Sequence, residues 1–210
     1  MGHSSRRLFV VALAVLSLAG CNKIAAMTGA QGAVTADDMS LGNAASKVTV
    51  IEYASATCPH CARFNNEVFP GFKAKYIDTG RIHYVFREFL TPPPEVAAAA
   101  FLTARCAGKD KYFSVLDAVF KGQAQMFQSG DVKGSLLSIA ESAGLSEAQF
   151  NACINDNAAL TALNNRVQSY IDKDGIDSTP TFVINGKKLL GEQSEATLDK
   201  SIADAQAAAK

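Results

Sequence analysis

The chain has 210 residues, of which 48% are hydrophobic and 19% are charged, so it can bury the core of one generous domain or of two small ones. Lysine plus arginine equals aspartate plus glutamate at 20 each, and this balance argues against a nucleic-acid-binding protein, which needs a basic surface. Most of the functional information lies in the spacing of five cysteines, at positions 21, 58, 61, 106 and 153.

The first 20 residues are typical of an export signal. Arg6 and Arg7 precede an uncharged run that ends in Leu-Ala-Gly before Cys21. The run is shorter than the roughly 20 apolar residues of a membrane-spanning helix. We predict a signal peptide over residues 1–20 and, because Leu-Ala-Gly-Cys resembles the lipobox of bacterial lipoproteins, a lipid anchor on Cys21. Ordinary cleavage further along the chain and export by the twin-arginine route remain alternatives.

Residues 21–46 are mostly small and polar, with no sustained hydrophobic period. We predict that they form the lipidated N-terminus and a flexible tether. Export would place the chain in an oxidising compartment. The four cysteines that remain after lipidation make two disulfides the default expectation.

The next segments predict a strand, a helix and a second strand. Residues 48–53 are β-branched and aromatic, apart from Glu52, and favour a buried strand. Residues 62–78 carry apolar side chains at helical spacing, with Pro70 expected to kink the helix midway. Residues 81–89 alternate as a strand does. This order is typical of a parallel βαβ unit.

The segment from residue 92 to residue 175 has helical tendency throughout and contains no strand candidate. Strand character resumes at residues 181–184. Asn185 and Gly186 then predict a hairpin, because a type I′ turn needs positive φ at both central positions. Ser194 is expected to begin a final helix.

Cys58, Pro59, His60 and Cys61 lie at the predicted strand-to-helix junction. Unpaired backbone N–H groups and the helix dipole favour an anion there, so Cys58 is predicted to be the nucleophilic thiolate. His60 is expected to strengthen this stabilisation, and Cys61, one turn further on, to be the shielded resolving thiol. A stabilised thiolate makes the corresponding disulfide a better oxidant.

Two other interpretations of Cys-x-x-Cys are weaker. A zinc site needs a second ligand pair, whereas Cys106 and Cys153 lie far apart and His83 stands alone. A structural disulfide across so short a loop adds almost no loop-closure stabilisation. We therefore predict a redox-active pair that uses no metal and no other cofactor.

Two segments resemble the DsbA-type thiol-disulfide oxidoreductases of the bacterial periplasm. Residues 48–61 end in Thr-Cys-Pro-His-Cys, and residues 178–186 contain Thr-Pro-Thr-Phe. The resemblance extends from about Leu41 onward and implies an α/β, thioredoxin-like fold with an inserted all-helical domain. The expected domains are the thioredoxin-like residues 47–91 and 176–210 and the helical insertion 92–175.

The resemblance also implies roles for individual residues. Pro180 matches the cis-proline that faces the redox pair, and together with Thr179 it is expected to bind substrate backbone. Glu52 matches a buried acid below the resolving cysteine; it is predicted to have a raised pKa and to exchange a proton with Cys61. A surface-facing Glu52 is the alternative.

Cys106 and Cys153 both fall in the predicted helical insertion. Some members of the family carry a second disulfide in this domain, so the resemblance implies a structural Cys106–Cys153 bond. A regulatory bond that tunes Cys58 is the alternative.

The sequence thus predicts an exported, lipid-anchored enzyme that gives the Cys58–Cys61 disulfide to unfolded exported proteins. The resemblance implies a DsbB-like membrane partner for reoxidation. A reductase or isomerase remains an alternative, because Thr179 precedes the cis-proline in relatives with those activities. A non-catalytic surface lipoprotein or chaperone is a third interpretation.

Overall fold

A five-stranded mixed sheet forms the centre of the computed structural model, which describes residues 1–2 and 32–209. The strand order is β1-β3-β2-β4-β5, in which β2 and β3 are parallel and the other neighbours are antiparallel. The strands are β1 Met39–Gly42, β2 Thr49–Ala54, β3 His83–Glu88, β4 Thr181–Ile184 and β5 Lys187–Leu190.

The three central strands are buried along nearly their whole length. All six residues of β3, all four of β4 and five of the six of β2 are buried. Both faces of the sheet are therefore covered, which explains why β2 is a continuous apolar run rather than an alternating one. Asn185 and Gly186 have φ values of 45° and 85°, so the predicted hairpin turn between β4 and β5 is present.

The helical segment after β2 begins earlier than the apolar spacing predicted. It comprises α1 Pro59–Arg63, a π-helical segment Phe64–Val68, α2 Phe69–Phe72 and a second π-helical segment Lys73–Ile77. Pro70 lies in the first turn of α2, between the two π-helical segments. Proline has no N–H to donate, so a change of hydrogen-bond pattern around it keeps the chain helical.

Five helices lie between β3 and β4, where the sequence predicted helices and no strand. They are α3 Pro94–Cys106, α4 Lys109–Ser129, α5 Val132–Ser142, α6 Glu147–Ile154 and α7 Asn157–Asp174. The last helix, α8 Glu195–Ala208, is capped by Ser194, whose hydroxyl accepts from the backbone N–H of Thr197. This arrangement is the predicted α/β fold with inserted helices.

Part of the predicted tether is wrong. Within residues 21–46, the segment Met39–Gly42 is strand β1, paired antiparallel with β3. The preceding Asp38 is buried and accepts two hydrogen bonds from the buried Arg87. Four residues are too few to show a hydrophobic period, so this strand is specified by its partner β3 rather than by its own sequence.

The predicted signal peptide falls mainly on residues that the structure does not describe, and the lipidation site Cys21 lies outside the described residues. Among the residues that are described, no helix combines the length and the apolar character needed to cross a membrane.

A buried ion cluster joins the inserted helices to the sheet. The carboxylate of Glu88, at the end of β3, is 1% exposed and accepts from Arg105 of α3, Arg166 of α7 and Tyr112 of α4. Donor–acceptor distances in the cluster run from 2.6 to 3.1 Å. The cluster therefore holds three inserted helices to one strand.

Candidate functional site

Cys58 lies at the start of α1, where β2 passes into the first helix. It is the N-cap residue, with φ −81° and ψ 120°, and Pro59 follows in the first turn, where a proline needs no hydrogen-bond acceptor. Cys58 is 7% exposed and Cys61 is fully buried, and both thiols are free. The two sulfurs thus occupy different environments within one helical turn.

The peptide bond between Thr179 and Pro180 is cis and faces Cys58. The Cys58 sulfur lies 3.4 Å from the carbonyl oxygen of Thr179, to which its protonated form donates. The carbonyl oxygen of Pro180 accepts from the backbone N–H of Gly191 at 2.9 Å, which ties this turn to the end of β5. The structure therefore brings together residues that are 121 positions apart in sequence.

The two thiols have opposite acidities. Hydrogen bonding to Cys61 is the largest cause that lowers the pKa of Cys58, to about 5, against an opposing effect of burial. A side-chain hydrogen bond of Thr179 and the backbone N–H groups of Cys61 and His60 also lower the pKa of Cys58. Burial, with the nearby Cys58, raises the pKa of Cys61 far above its usual range. Cys58 is the thiolate at neutral pH and Cys61 holds its proton.

The His60 imidazole lies beside a carboxylate. Its Nδ1 lies 3.1 Å from Oε2 of Glu192, which also accepts from Arg63 at 3.2 Å, and the ring is largely exposed. His60 stabilises the Cys58 thiolate through a hydrogen bond from its backbone N–H. Sequence reasoning missed Glu192, which follows β5 and lies 132 residues from His60, because no local pattern marks it.

Glu52 is buried rather than surface-facing, so the alternative of a surface position is wrong. Its side chain is in the interior of β2, 3% exposed, and its Oε2 accepts from the Tyr84 hydroxyl at 2.6 Å. Burial raises its pKa to about 8, and the Tyr84 hydrogen bond opposes that rise. Its charge also acts on Cys61. Tyr84 was not singled out from the sequence, where it is one apolar position of an alternating strand.

The inserted helices support the loop that precedes the nucleophile. The side-chain amide of Gln123, on α4, donates to the carbonyl oxygens of Ala56 at 2.8 Å and Cys58 at 3.1 Å. The hydroxyl of Thr57 donates to the carbonyl oxygen of Thr91 at 2.9 Å. Gln123 is 5% exposed and was also missed, because a lone glutamine in a helix carries no sequence signal.

Cys106 and Cys153 form a disulfide that joins the end of α3 to α6, with a Cα–Cα distance of 6.2 Å. Both helices belong to the inserted region, whereas the Cys58 thiol lies beside the central sheet. The two cysteine pairs therefore serve different parts of the fold.

Comparison with known proteins finds relatives among thioredoxin-like proteins and disulfide oxidoreductases. Residues 34–204 match the family model described as thioredoxin. The crystal structure of Wolbachia pipientis alpha-DsbA1 is similar at 31% identity and a TM-score of 0.77, over 84% of this chain and 94% of that one. A Rickettsia bellii protein with the provisional name protein-disulfide oxidoreductase is 32% identical over 81% of this chain. The Bacillus subtilis disulfide bond formation protein D is 24% identical over 77% of the chain and 76% of its own length.

The chain is shorter than its curated rickettsial relatives. It spans 66% of the length of the Rickettsia bellii protein and 54% of a Rickettsia conorii relative. The Wolbachia structure, in contrast, is covered almost completely.

Proposed function

Since this chain belongs to the thioredoxin family and to its DsbA-type disulfide oxidoreductases, as its sequence predicted, we propose that it is a dithiol oxidase that introduces disulfides into exported proteins. The observation that carries this proposal is the environment of Cys58. A thiolate at a helix start, 3.4 Å from the carbonyl of a cis Thr179–Pro180 bond, is suited to exchange with an incoming cysteine.

The proposed reaction begins with an oxidised Cys58–Cys61 pair. A substrate thiolate attacks the sulfur of Cys58, a mixed disulfide forms, and Cys61 leaves as a thiolate that takes a proton from Glu52. A second substrate thiolate then attacks the substrate sulfur of the mixed disulfide. The substrate gains a disulfide, Cys58 leaves as its stable thiolate, and the enzyme holds the two electrons that the substrate has lost.

The acidity of Cys58 supports the oxidising direction. Interactions that hold the reduced form as a thiolate lower its free energy, so the disulfide becomes less stable and is given away more readily. The pKa of about 5 for Cys58 lies well below the usual value for a thiol. Thr179, which stays partly exposed beside Cys58, has backbone with which an extended substrate segment would pair.

The proposed substrates are unfolded or reduced exported proteins, and the proposed location is the bacterial periplasm. The basic and apolar residues before Cys21 support export, and the Leu-Ala-Gly-Cys sequence supports anchoring to the membrane by a lipid on Cys21. Each cycle leaves the enzyme reduced, so it needs an oxidant, for which we propose a DsbB-like membrane partner.

The equilibrium potential of the Cys58–Cys61 pair against glutathione tests this function. The exported protein should be measured with its Cys106–Cys153 disulfide intact. An oxidase is expected to have a potential well above about −270 mV, the thioredoxin value. A potential near that value would contradict the proposal and favour a reductase or isomerase.

A Cys58→Ser variant separates catalysis from binding. An oxidase loses all disulfide transfer to a reduced protein substrate in this variant, whereas a chaperone that keeps the fold for binding retains its function. The matched control is Ser114→Ala, which alters an exposed hydroxyl of α4 that donates to the Lys111 carbonyl oxygen.

A further inference from the structure

Tyr84 and Glu52 form a short hydrogen bond in the interior of the sheet. The Tyr84 hydroxyl donates to Oε2 of Glu52 at 2.6 Å, and neither residue is more than 3% exposed. They lie on the parallel strands β3 and β2, where Glu52 is paired with Phe86 and Tyr84 with Val50. Residues two apart on one strand share a face, so the tyrosine is a diagonal neighbour of the carboxylate.

Among the described residues, no cation forms an ion pair with this carboxylate. In residues 32–209, none of the ion pairs includes Glu52, and Tyr84 is its side-chain hydrogen-bond donor. The titratable groups that face Glu52 or Tyr84 from the neighbouring helices are Cys58 and Cys61 of the redox pair and Tyr112 of α4. Removal of the Tyr84 hydroxyl is therefore the change that most directly shifts Glu52 between its ionised and its protonated form.

Cys61 must gain or lose a proton in each half of the proposed cycle. When the reduced pair is reoxidised, Cys58 attacks an oxidant disulfide and forms a mixed disulfide. The Cys61 thiol then gives its proton to a base, and its sulfur attacks the sulfur of Cys58. The Cys58–Cys61 disulfide forms, and the remaining half of the oxidant leaves as a thiolate. When substrate is oxidised, the proton moves the other way, from an acid to Cys61.

We propose that Tyr84 is a positioning residue of the redox site: its hydroxyl orients Glu52 and keeps its ionised form available to take the proton of Cys61 during reoxidation. The inference rests on the proposed function, since it concerns the proton of the resolving thiol. The tyrosine touches neither substrate nor sulfur in this role and acts through the carboxylate.

Loss of the hydroxyl should affect the two half-reactions unequally. Burial raises the pKa of Glu52, and the Tyr84 hydrogen bond opposes the rise, so Tyr84→Phe leaves the carboxyl more often protonated at neutral pH. A protonated Glu52 cannot accept from Cys61 but can still donate to it. Reoxidation is therefore expected to slow about tenfold at pH 7, the effect of one pKa unit, while substrate oxidation stays within about twofold.

The test is the pH profile of reoxidation by oxidised glutathione. At saturating glutathione disulfide the rate no longer depends on its concentration, which isolates the attack of Cys61 on Cys58. The chain contains no tryptophan, so acid quenching followed by thiol alkylation and mass measurement is the suitable detection. Tyr84→Phe should move the rising limb of the profile to higher pH, and the rate should recover at alkaline pH.

Two further variants show whether the effect is specific. Tyr76→Phe removes a hydroxyl that donates to Asp199 at the same 2.6 Å, away from the redox pair, and should leave the profile unchanged. In a Glu52→Gln background, Tyr84→Phe should have no additional effect, because the group through which it acts is gone.

The outcomes distinguish a failure of the proposed function from a failure of the inference about Tyr84. A wild-type pair that does not exchange with glutathione at all would overturn the proposed function and this inference together. A wild-type pair that cycles, with a Tyr84→Phe profile equal to it, would overturn the inference alone. A shift that persists in the Glu52→Gln background would also overturn it, because the tyrosine would then act by another route.

Discussion

Two buried glutamates lie on neighbouring strands and on the same face of the sheet, and their surroundings differ. Glu88 contacts two arginines and a tyrosine from the inserted helices, whereas Glu52 contacts the Tyr84 hydroxyl and has no ion pair within residues 32–209. A buried carboxylate is unfavourable unless cations and hydrogen bonds offset its desolvation. The cluster around Glu88 meets this need and fixes the insertion, while Glu52 is left in a state suited to proton transfer.

The largest effect is expected when the balanced cluster is broken. Glu88→Gln leaves Arg105 and Arg166 without their carboxylate, and removing one member of a buried ion pair costs about 3 to 5 kcal/mol. Both arginines keep some solvent exposure, so the loss should lie at the lower end of that range. Urea unfolding followed by circular dichroism measures it.

Glu95→Gln is the matched control for this prediction. It makes the same change of charge in the first turn of α3, at an exposed position, and should alter stability by no more than about 0.5 kcal/mol. A loss below about 1 kcal/mol for Glu88→Gln would show that the cluster is not needed to hold the inserted helices.

The Cys106–Cys153 disulfide tests whether the inserted helices can be destabilised without changing the Cys58–Cys61 redox pair. A loop between cysteines 47 residues apart is expected to contribute roughly 2 to 4 kcal/mol, so Cys106→Ala with Cys153→Ala should lower stability by that amount. The potential of the Cys58–Cys61 pair should not change if the bond is structural. A shifted potential would instead favour the regulatory alternative.

Removing the buried carboxylate of Glu52 should have the opposite effect and raise the free energy of unfolding. The folded-state pKa of Glu52, about 8, lies above its ordinary value of 4.5, so between these values the folded chain holds a proton that the unfolded chain has released. This contribution to stability is complete below about pH 4.5 and is lost as the pH rises through about 8. Glu52→Gln has no such loss, and it should be more stable than wild type by roughly 3 kcal/mol at pH 7, since about 2.5 pH units separate pH 7 from the ordinary pKa.

Paired unfolding curves at pH 4.5 and pH 7 check the sign of the Glu52 prediction. The stability difference between wild type and Glu52→Gln should be close to zero at the lower pH and favour the variant at the higher one. A variant that is less stable at pH 7 would indicate that the carboxylate is structural, as Glu88 is. Reoxidation by the same variant should be slowed, because Cys61 has lost its proton acceptor.

Local sequence was enough to predict strands β2 to β5, the helical insertion and the position of the redox cysteines. β2, the N-cap at Cys58 and the turn at Asn185 and Gly186 are each specified by residues within one short segment. The cis Thr179–Pro180 bond came from the family resemblance, since a proline in sequence does not show its isomer. Strand β1 was missed because its four residues depend on their partner strand.

The hydrogen-bond partners of the site residues could not be predicted from local sequence, because they lie far away along the chain. Tyr84 is 32 residues from Glu52, Gln123 is 65 residues from Cys58, and Glu192 is 132 residues from His60. Hydrophobic periodicity places such residues on an element but says nothing of which element packs against it. The carboxylate of Glu192 in particular, which lies beside the His60 ring, has no local signal in the sequence.

The smallest expected effect concerns that carboxylate. Oε2 of Glu192 holds Nδ1 of His60 at 3.1 Å and Arg63 at 3.2 Å, so the negative charge opposes the support that the imidazole would give to the Cys58 thiolate. Glu192→Gln should lower the pKa of Cys58 slightly and make the disulfide about two- to fivefold more oxidising against glutathione, since largely exposed ion pairs contribute little. Thiolate absorbance measures the pKa, and the glutathione equilibrium measures the disulfide.

A double-variant cycle with His60→Ala decides how the charge acts. If Glu192 works through the imidazole, Glu192→Gln should have no effect once the ring is gone, whereas a direct effect on Cys58 would remain unchanged. Glu195→Gln, three residues further on beside Lys75, is the control for the loss of one negative charge. An equal response from Glu195→Gln would contradict a specific role for Glu192, because the site would then sense only the overall charge of this surface.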